Sequence, residues 1–152
     1  FFMSERYHQL KDKISSDLFF NNKISDYFFM KSKIFAKTNL QRDELLLFEK
    51  LFDIMLASLP APDLLVYLHS DIKRLQSNIR KRGRDYEQNI KDSYLESIQE
   101  AYFDYLKKQN KSAVLIIDIT NVDFVNDLNI YTEVKRLISK KHTIGSTNKI
   151  IL

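Results

Sequence analysis

Leu64-Leu65-Val66-Tyr67-Leu68 and Ala113-Val114-Leu115-Ile116-Ile117-Asp118 are the two stretches that decide the fold. Neither alternates apolar with polar residues, as a strand with one wet face would. Continuous apolar runs of this length mark strands covered on both faces, the situation in helix-covered parallel sheets. Asp63 bounds the first run, and Pro60-Ala61-Pro62 stops whatever precedes it, because proline cannot continue a helix and pushes its predecessor to extended geometry. Between the runs, the spacing predicts helices over Ile72–Lys81 and Ser93–Lys108, the second packing Tyr94, Ile98, Ala101, Tyr102 and Tyr105. Ser70 or Asp71 supplies the N-cap of the first. Beyond the second run, a helix is expected over Leu128–Lys140, a flexible loop at Gly145-Ser146-Thr147 and a short strand at Ile150-Ile151-Leu152. Strands separated by helices give an α/β fold with a parallel sheet and right-handed crossovers.

Upstream of the prolines the pattern is helical. Residues 1–20 place Phe2, Tyr7 (or Arg6), Leu10, Ile14 and Leu18 on one stripe, and Asn21-Asn22 breaks it. Lys23-Ile24-Ser25-Asp26-Tyr27 reads as a short strand. Phe28–Asn39 is an apolar helix with Phe28, Phe29, Ile34, Phe35 and Ala36 turned inward. Asp43 to about Ser58 is another, with Leu45, Phe48, Phe52, Met55 and Leu59 at helical spacing and Asp43-Glu44 as its acidic first turn. The chain opens at Phe1 within a helical pattern, so residue 1 is expected to be a cut end.

Composition narrows the function classes. A length of 152 residues suits one domain with one core, here residues 1–152. With no cysteine, disulfides, thiolate metal sites and a Cys nucleophile are excluded, and a reducing cytoplasm is the compatible setting. His8, His69 and His142 lie far apart with no metal-ligand spacing. No apolar run approaches the roughly 20 residues of a membrane span, so no membrane partner is expected. The net charge of +4 is too small to argue for a nucleic-acid partner.

The stretch that carries chemistry is Asn78-Ile79-Arg80-Lys81-Arg82-Gly83-Arg84-Asp85-Tyr86-Glu87-Gln88. It begins as a helix end, and Gly83 permits a turn its arginine neighbours would resist. Arg80, Lys81, Arg82 and Arg84 are then crowded into one region, at a cost in self-repulsion that an anion relieves. Guanidinium forks match phosphate oxygens, whose charge must be stabilised in phosphoryl transfer. Local sequence alone also allows a solvated basic helix end favoured by the helix dipole. The position after strand and helix favours the anion.

At this point the chain resembles the bacterial deoxynucleoside kinase family, including deoxyadenosine and deoxyguanosine kinase-like members. The resemblance rests on Pro62 to Leu68, the helix bearing Arg74, Ile79 to Glu87, and Tyr94-Leu95. Ser4 to Leu10, Ile24 to Phe29, Ile34 to Ala36, and Ile116 to Phe124 follow the same family in the same order. It implies a P-loop-kinase-like sheet with a lid at about 79–90, of which this chain is the C-terminal part, the N-terminal strand and P-loop being absent from it. It implies ATP and Mg2+ as cofactors, a deoxynucleoside as substrate, and a homodimer, for which the apolar helices at 28–39 and 45–59 are candidates, simple burial being the other reading. By resemblance, Arg82 and Arg84, with Arg80 beside them, contact ATP phosphates, and Glu87 approaches the deoxyribose 3′-hydroxyl. Asp118, Asn121, Asp123 and Phe124 border the adenine. Arg6 lies on the helix that supplies base contacts in relatives, and Asp26 keeps an acidic catalytic role.

Two departures qualify the match. Where many relatives carry an acidic residue, Arg and then Ser or Thr, this chain has Ser25-Asp26-Tyr27-Phe28, so a catalytic arginine is lost. GxxxxGK followed by Ser or Thr is also absent, since Gly83 and Gly145 are the only glycines and neither fits. The chain alone is therefore expected not to turn over ATP. The alternatives are a nucleoside-monophosphate kinase of the same fold, or a non-catalytic binding or dimerisation module, and a fusion behind a pterin pyrophosphokinase domain is compatible with the resemblance.

Overall fold

A computed structural model describes residues 2–15, 23–26 and 28–152, which fall into two compact units, Phe1–Pro60 and Ala61–Leu152. The second unit carries the sheet. Strands β1 (Leu64–His69), β2 (Ala113–Asp118) and β3 (Thr147–Ile151) lie in the order β1-β2-β3, all parallel. Leu65 is opposite Val114, and Val114 is opposite Thr147.

Register decides which side chains share a face. Leu64, Val66 and Leu68 lie level with Ala113, Leu115 and Ile117, so these six point to the same side of the sheet. On that side Leu115 and Ile117 meet Val134 and Leu137 of helix α6 (Leu128–Ser139), with Leu64, Phe124 and Ile150 closing the cluster. The opposite side carries Tyr67 of β1, stacked on Tyr102 at 5.3 Å and edge-on to Phe103 at 5.6 Å, both residues of α5 (Asp92–Lys107). Burial pushes the Tyr67 and Tyr105 hydroxyls up to about 12. Helices thus cover both faces of β2, and residues 113–117 are all buried.

The expectation of two doubly covered strands holds for β2 and fails for β1. Val66 and Leu68 are 37% and 41% exposed. They stand on the α6 side, where Val134 and Leu137 of the helix cluster with Leu115 and Ile117 of β2, and Leu64 of β1 packs at the margin of that cluster. The expected loop at Gly145-Ser146-Thr147 is shorter, because β3 already begins at Thr147. Its polar start, Thr147-Asn148-Lys149, is exposed and held by the backbone ladder to β2, so no apolar pattern announces it.

Helix α4 (Ile72–Arg82) follows β1 and packs against α5. Asp71, not Ser70, caps it: the Asp71 Oδ1 accepts from the Arg74 N–H at 2.7 Å. It ends at Gly83, whose φ of 69° is left-handed and whose N–H bonds back to the Ile79 and Arg80 carbonyls.

In the first unit, helix α1 (Phe2–Ser15) is joined by α2 (Met30–Asn39) and α3 (Arg42–Leu56), which pack on each other. Their core is aromatic. Phe52 is fully buried, stacked on Phe29 at 4.7 Å and near Phe48 at 5.9 Å, and a buried phenyl of this kind stabilises by roughly 2 kcal/mol or more. Lys33 reaches Asp53 at 3.3 Å and Glu49 at 3.6 Å across the same contact. Phe28 and Phe35 are only half-buried, unlike the inward residues Phe29, Ile34 and Ala36. The strand expected at 23–27 does not form over 23–26: Ile24 is 97% exposed, and no strand of this unit pairs with it among the described residues. Residue 27, the end of the first helix at 16–20 and the Asn21-Asn22 break lie outside the described residues.

A Cβ at position 83 would meet no atom within 4 Å, so the cost of Gly83→Ala is conformational alone. We expect Gly83→Ala to lower the urea midpoint by the equivalent of about 1 kcal/mol, and Gly83→Asn to cost clearly less, because Asn tolerates the left-handed region. An unchanged midpoint for the alanine variant would remove Gly83 from its role as helix stop.

Candidate functional site

The segment after Gly83 folds tightly. Arg84 is extended, Asp85–Glu87 form a single 3-10 turn, and the Gln88 amide donates to the Ile79 and Arg84 carbonyls, each at 3.2 Å, closing the loop on the end of α4. Gln76 ties α4 to the start of α5, donating to the Ile90 carbonyl and the Asp92 carboxylate, both at 2.8 Å. The two glutamines were not among the sequence candidates. Their bonds span 9 residues for Gln88 to Ile79 and 14 and 16 for Gln76, separations that no local pattern encodes.

Inside this loop the charges meet on one carboxylate. Arg84 Nη1 lies 3.2 Å from Glu87 Oε1, and Arg82 Nη1 lies 3.5 Å from Glu87 Oε2. Arg84 also donates to the Tyr86 hydroxyl at 3.3 Å. The Glu87 side chain is 13% exposed, whereas those of Arg82 and Arg84 are 57% and 53% exposed. The Glu87 hydrogen bond, with the adjacent Tyr86 and Glu87 charges, raises the Arg84 pKa further. Of the arginines expected to act together, Arg82 and Arg84 are joined. Arg80 is exposed one turn earlier and makes no ion pair among the described residues.

A second group stands at the C-terminal ends of β1 and β2, the edge at which open α/β sheets bind ligands. Asp118 accepts from the Thr120 N–H at 3.0 Å, and its other oxygen lies 3.8 Å from His69 Nε2. Burial pushes this carboxyl up, but the Thr120 bonds, His69 and Lys149 outweigh it and hold it below the usual carboxylate value. The Asp71 N–H donates to the Thr120 hydroxyl at 3.1 Å, and Arg74 Nη2 reaches the Val122 carbonyl at 3.4 Å. The head of α4 is thereby bonded to the loop after β2. Among the described residues, His69 Nδ1 and Ser70 Oγ are buried without a hydrogen-bond partner; the sequence offered Ser70 as a helix cap, not as a site residue.

The rest of that loop is organised by its own residues. Asp123 accepts from Asn126 Nδ2 at 2.8 Å and from the Val125 and Asn126 N–H groups at 3.2 Å, and these bonds, the Asn126 side chain first, lower its pKa. Phe124 packs on the core beneath, and Asn121 is exposed. In the first unit, Arg6 donates to Gln9 at 2.8 Å and lines an apolar groove of about 800 Å³ between α1, α2 and α3, with Met3, Phe35, Phe48 and Leu51 among its walls. Asp26 is exposed.

No described helix is long and apolar enough to cross a membrane, and no three His, Asp or Glu side chains gather into a metal site among the described residues. What the second unit offers is a pair of exposed guanidinium groups on a closed turn and polar groups lining the C-terminal edge of a parallel sheet. This combination suits a phosphorylated ligand.

Comparison with known proteins points the same way. The family model described as deoxynucleoside kinase matches residues 1–143. A deoxyguanosine kinase of Bacillus subtilis (strain 168) is 33% identical over 132 residues, covering 82% of this chain and 63% of that protein. A deoxyadenosine kinase of Lactobacillus acidophilus is 28% identical over 135 residues, 79% of this chain and 62% of the relative. A deoxyadenosine/deoxycytidine kinase of Bacillus subtilis is 28% identical over 136 residues, 85% and 62% respectively. The aligned part spans less than two thirds of each of these relatives. With a parallel sheet clothed by helices, a closed arginine turn and a family match across nearly its whole length, the chain belongs to the deoxynucleoside kinase family.

Proposed function

We propose that the protein to which this chain contributes transfers the γ-phosphate of ATP to the 5′-hydroxyl of a deoxynucleoside. The observation that carries this reading is the pairing of Arg82 and Arg84 across the Gly83 turn, which holds two forked cations in one place. Phosphoryl transfer asks little covalent chemistry of a protein and much charge stabilisation, and a pair of guanidinium groups stabilises charge growing on the transferred oxygens. Arg80 extends the same positive end of α4. Glu87 is the acceptor for a sugar hydroxyl, Arg6 and Asp26 belong to the deoxynucleoside side, and Asp118, Asn121, Asp123 and Phe124 border the adenine. His69 Nδ1 and Ser70 Oγ, buried without hydrogen-bond partners among the described residues, are polar groups that a ligand or a further segment at this sheet edge would satisfy. Mg2+ supplies charge neutralisation when bound with ATP, leaning on phosphate oxygens and water, which demands no three-ligand protein cage. The chain alone lacks GxxxxGK and is inactive in this reading; the setting is the cytoplasm.

The partner in assembly is a second copy. Leu47, Leu51 and Ile54 form one stripe along α3, and all three are exposed. A stripe at this spacing is what helix-to-helix association uses.

Two results are expected. In a protein extended to include the phosphate loop, ATP-dependent phosphorylation of a deoxynucleoside is measurable, and Arg84→Gln lowers kcat at least ~100-fold, the scale of a lost phosphate-stabilising donor; failure to phosphorylate any deoxynucleoside contradicts the reading. Sedimentation should give a dimer for the parent and a monomer for the Leu47→Glu, Ile54→Glu double variant, and a dimer in both would place the interface elsewhere.

A further inference from the structure

Glu87 is the least exposed member of the lid's charged trio, and both arginines approach it through Nη1. Neither guanidinium fork is used up by that contact, because each carries five donors. A carboxylate brings one negative charge to the pair; a polyphosphate brings several, in a geometry that two forks can grip bidentately. Once the arginines turn to phosphate, a 13% exposed carboxylate is left short of donors, a costly condition that a hydroxyl donor relieves.

We propose that Glu87 is the lid's resident counter-ion, exchanged for phosphate when a polyphosphate binds, so that phosphate binding releases the carboxylate for a hydroxyl-bearing substrate. This rests on the phosphate role proposed for the lid. It adds that the two ligands are coupled through one side chain, reciprocally, as linked equilibria must be. Until the anion arrives, Glu87 offsets the repulsion between Arg82 and Arg84 and keeps the turn closed.

The test uses the 152-residue chain itself, with inorganic tripolyphosphate as the probe in titration calorimetry at low salt. Because the resident competitor is removed, Glu87→Gln should bind about threefold to tenfold more tightly, the worth of an exposed ion pair. Arg82→Gln and Arg84→Gln should each weaken binding. In the Arg82→Gln, Arg84→Gln background the Glu87→Gln gain should vanish, whereas a general charge effect would persist there. If Glu87→Gln unfolds the turn, as judged by circular dichroism, Glu87→Asp keeps the test open: it draws the carboxylate back by one methylene and should give a smaller gain. Unchanged or weaker binding by the Glu87 variants, a gain that survives loss of both arginines, or no binding by any form overturns the proposal. An extended protein that shows the exchange but phosphorylates no deoxynucleoside would sink the kinase reading and leave the exchange standing.

Discussion

Two guanidinium groups held against one carboxylate are the constraint on which the rest turns. Arg82 and Arg84 lie on opposite sides of Gly83, and their side chains meet only because that residue takes a left-handed φ of 69°. With a β-carbon there, the left-handed backbone carries strain. Such a pair at the surface contributes little to stability because solvent screens it. Its importance is geometric: it fixes where two guanidinium groups sit relative to each other, ready for the phosphate proposed above.

The sheet makes that placement worthwhile. β2 is buried along residues 113–117, with α6 packed on its Leu115 and Ile117, so it supplies a rigid reference for everything at its C-terminal end. From that end, Thr120 and Val122 bond to Asp71 and Arg74 at the head of α4. The arginine turn stands at the other end of the same helix, roughly 15 Å away at 1.5 Å per residue. Backbone hydrogen bonds within one helix thus connect the sheet edge to the arginine turn, a stiffer link than any loop of equal length.

Much of this was legible in the residues. The apolar run 113–118 read as a covered strand, Ser70 or Asp71 was the expected cap of α4 and Asp71 makes it, and Gly83 marked the turn at its end. The cluster at Arg82 and Arg84 was visible as charge, and the closeness of Glu87 suggested an arginine partner. Other features depend on tertiary context. Val66 and Leu68 look as buried as their β2 counterparts, yet exposure is set by where α6 lies, which β1 does not encode. Thr147-Asn148-Lys149 form an edge strand because β2 offers a ladder, against their own polarity. Lys23 to Asp26 have strand-like content but find no neighbour to pair with among the described residues of their unit. Phe124 rests on the core, so the loop around it is anchored from below, a packing contact that no local pattern announces.

The central claim concerns what Arg82, Arg84 and Glu87 do when phosphate is present, and nuclear magnetic resonance observes all three directly. The side-chain carboxyl carbon of Glu87 and the guanidinium signals of Arg82 and Arg84 should shift together, along one titration curve, as tripolyphosphate is added. Arginine shifts without a Glu87 response, or shifts confined to cations elsewhere such as Lys140 and Lys141, would contradict the account.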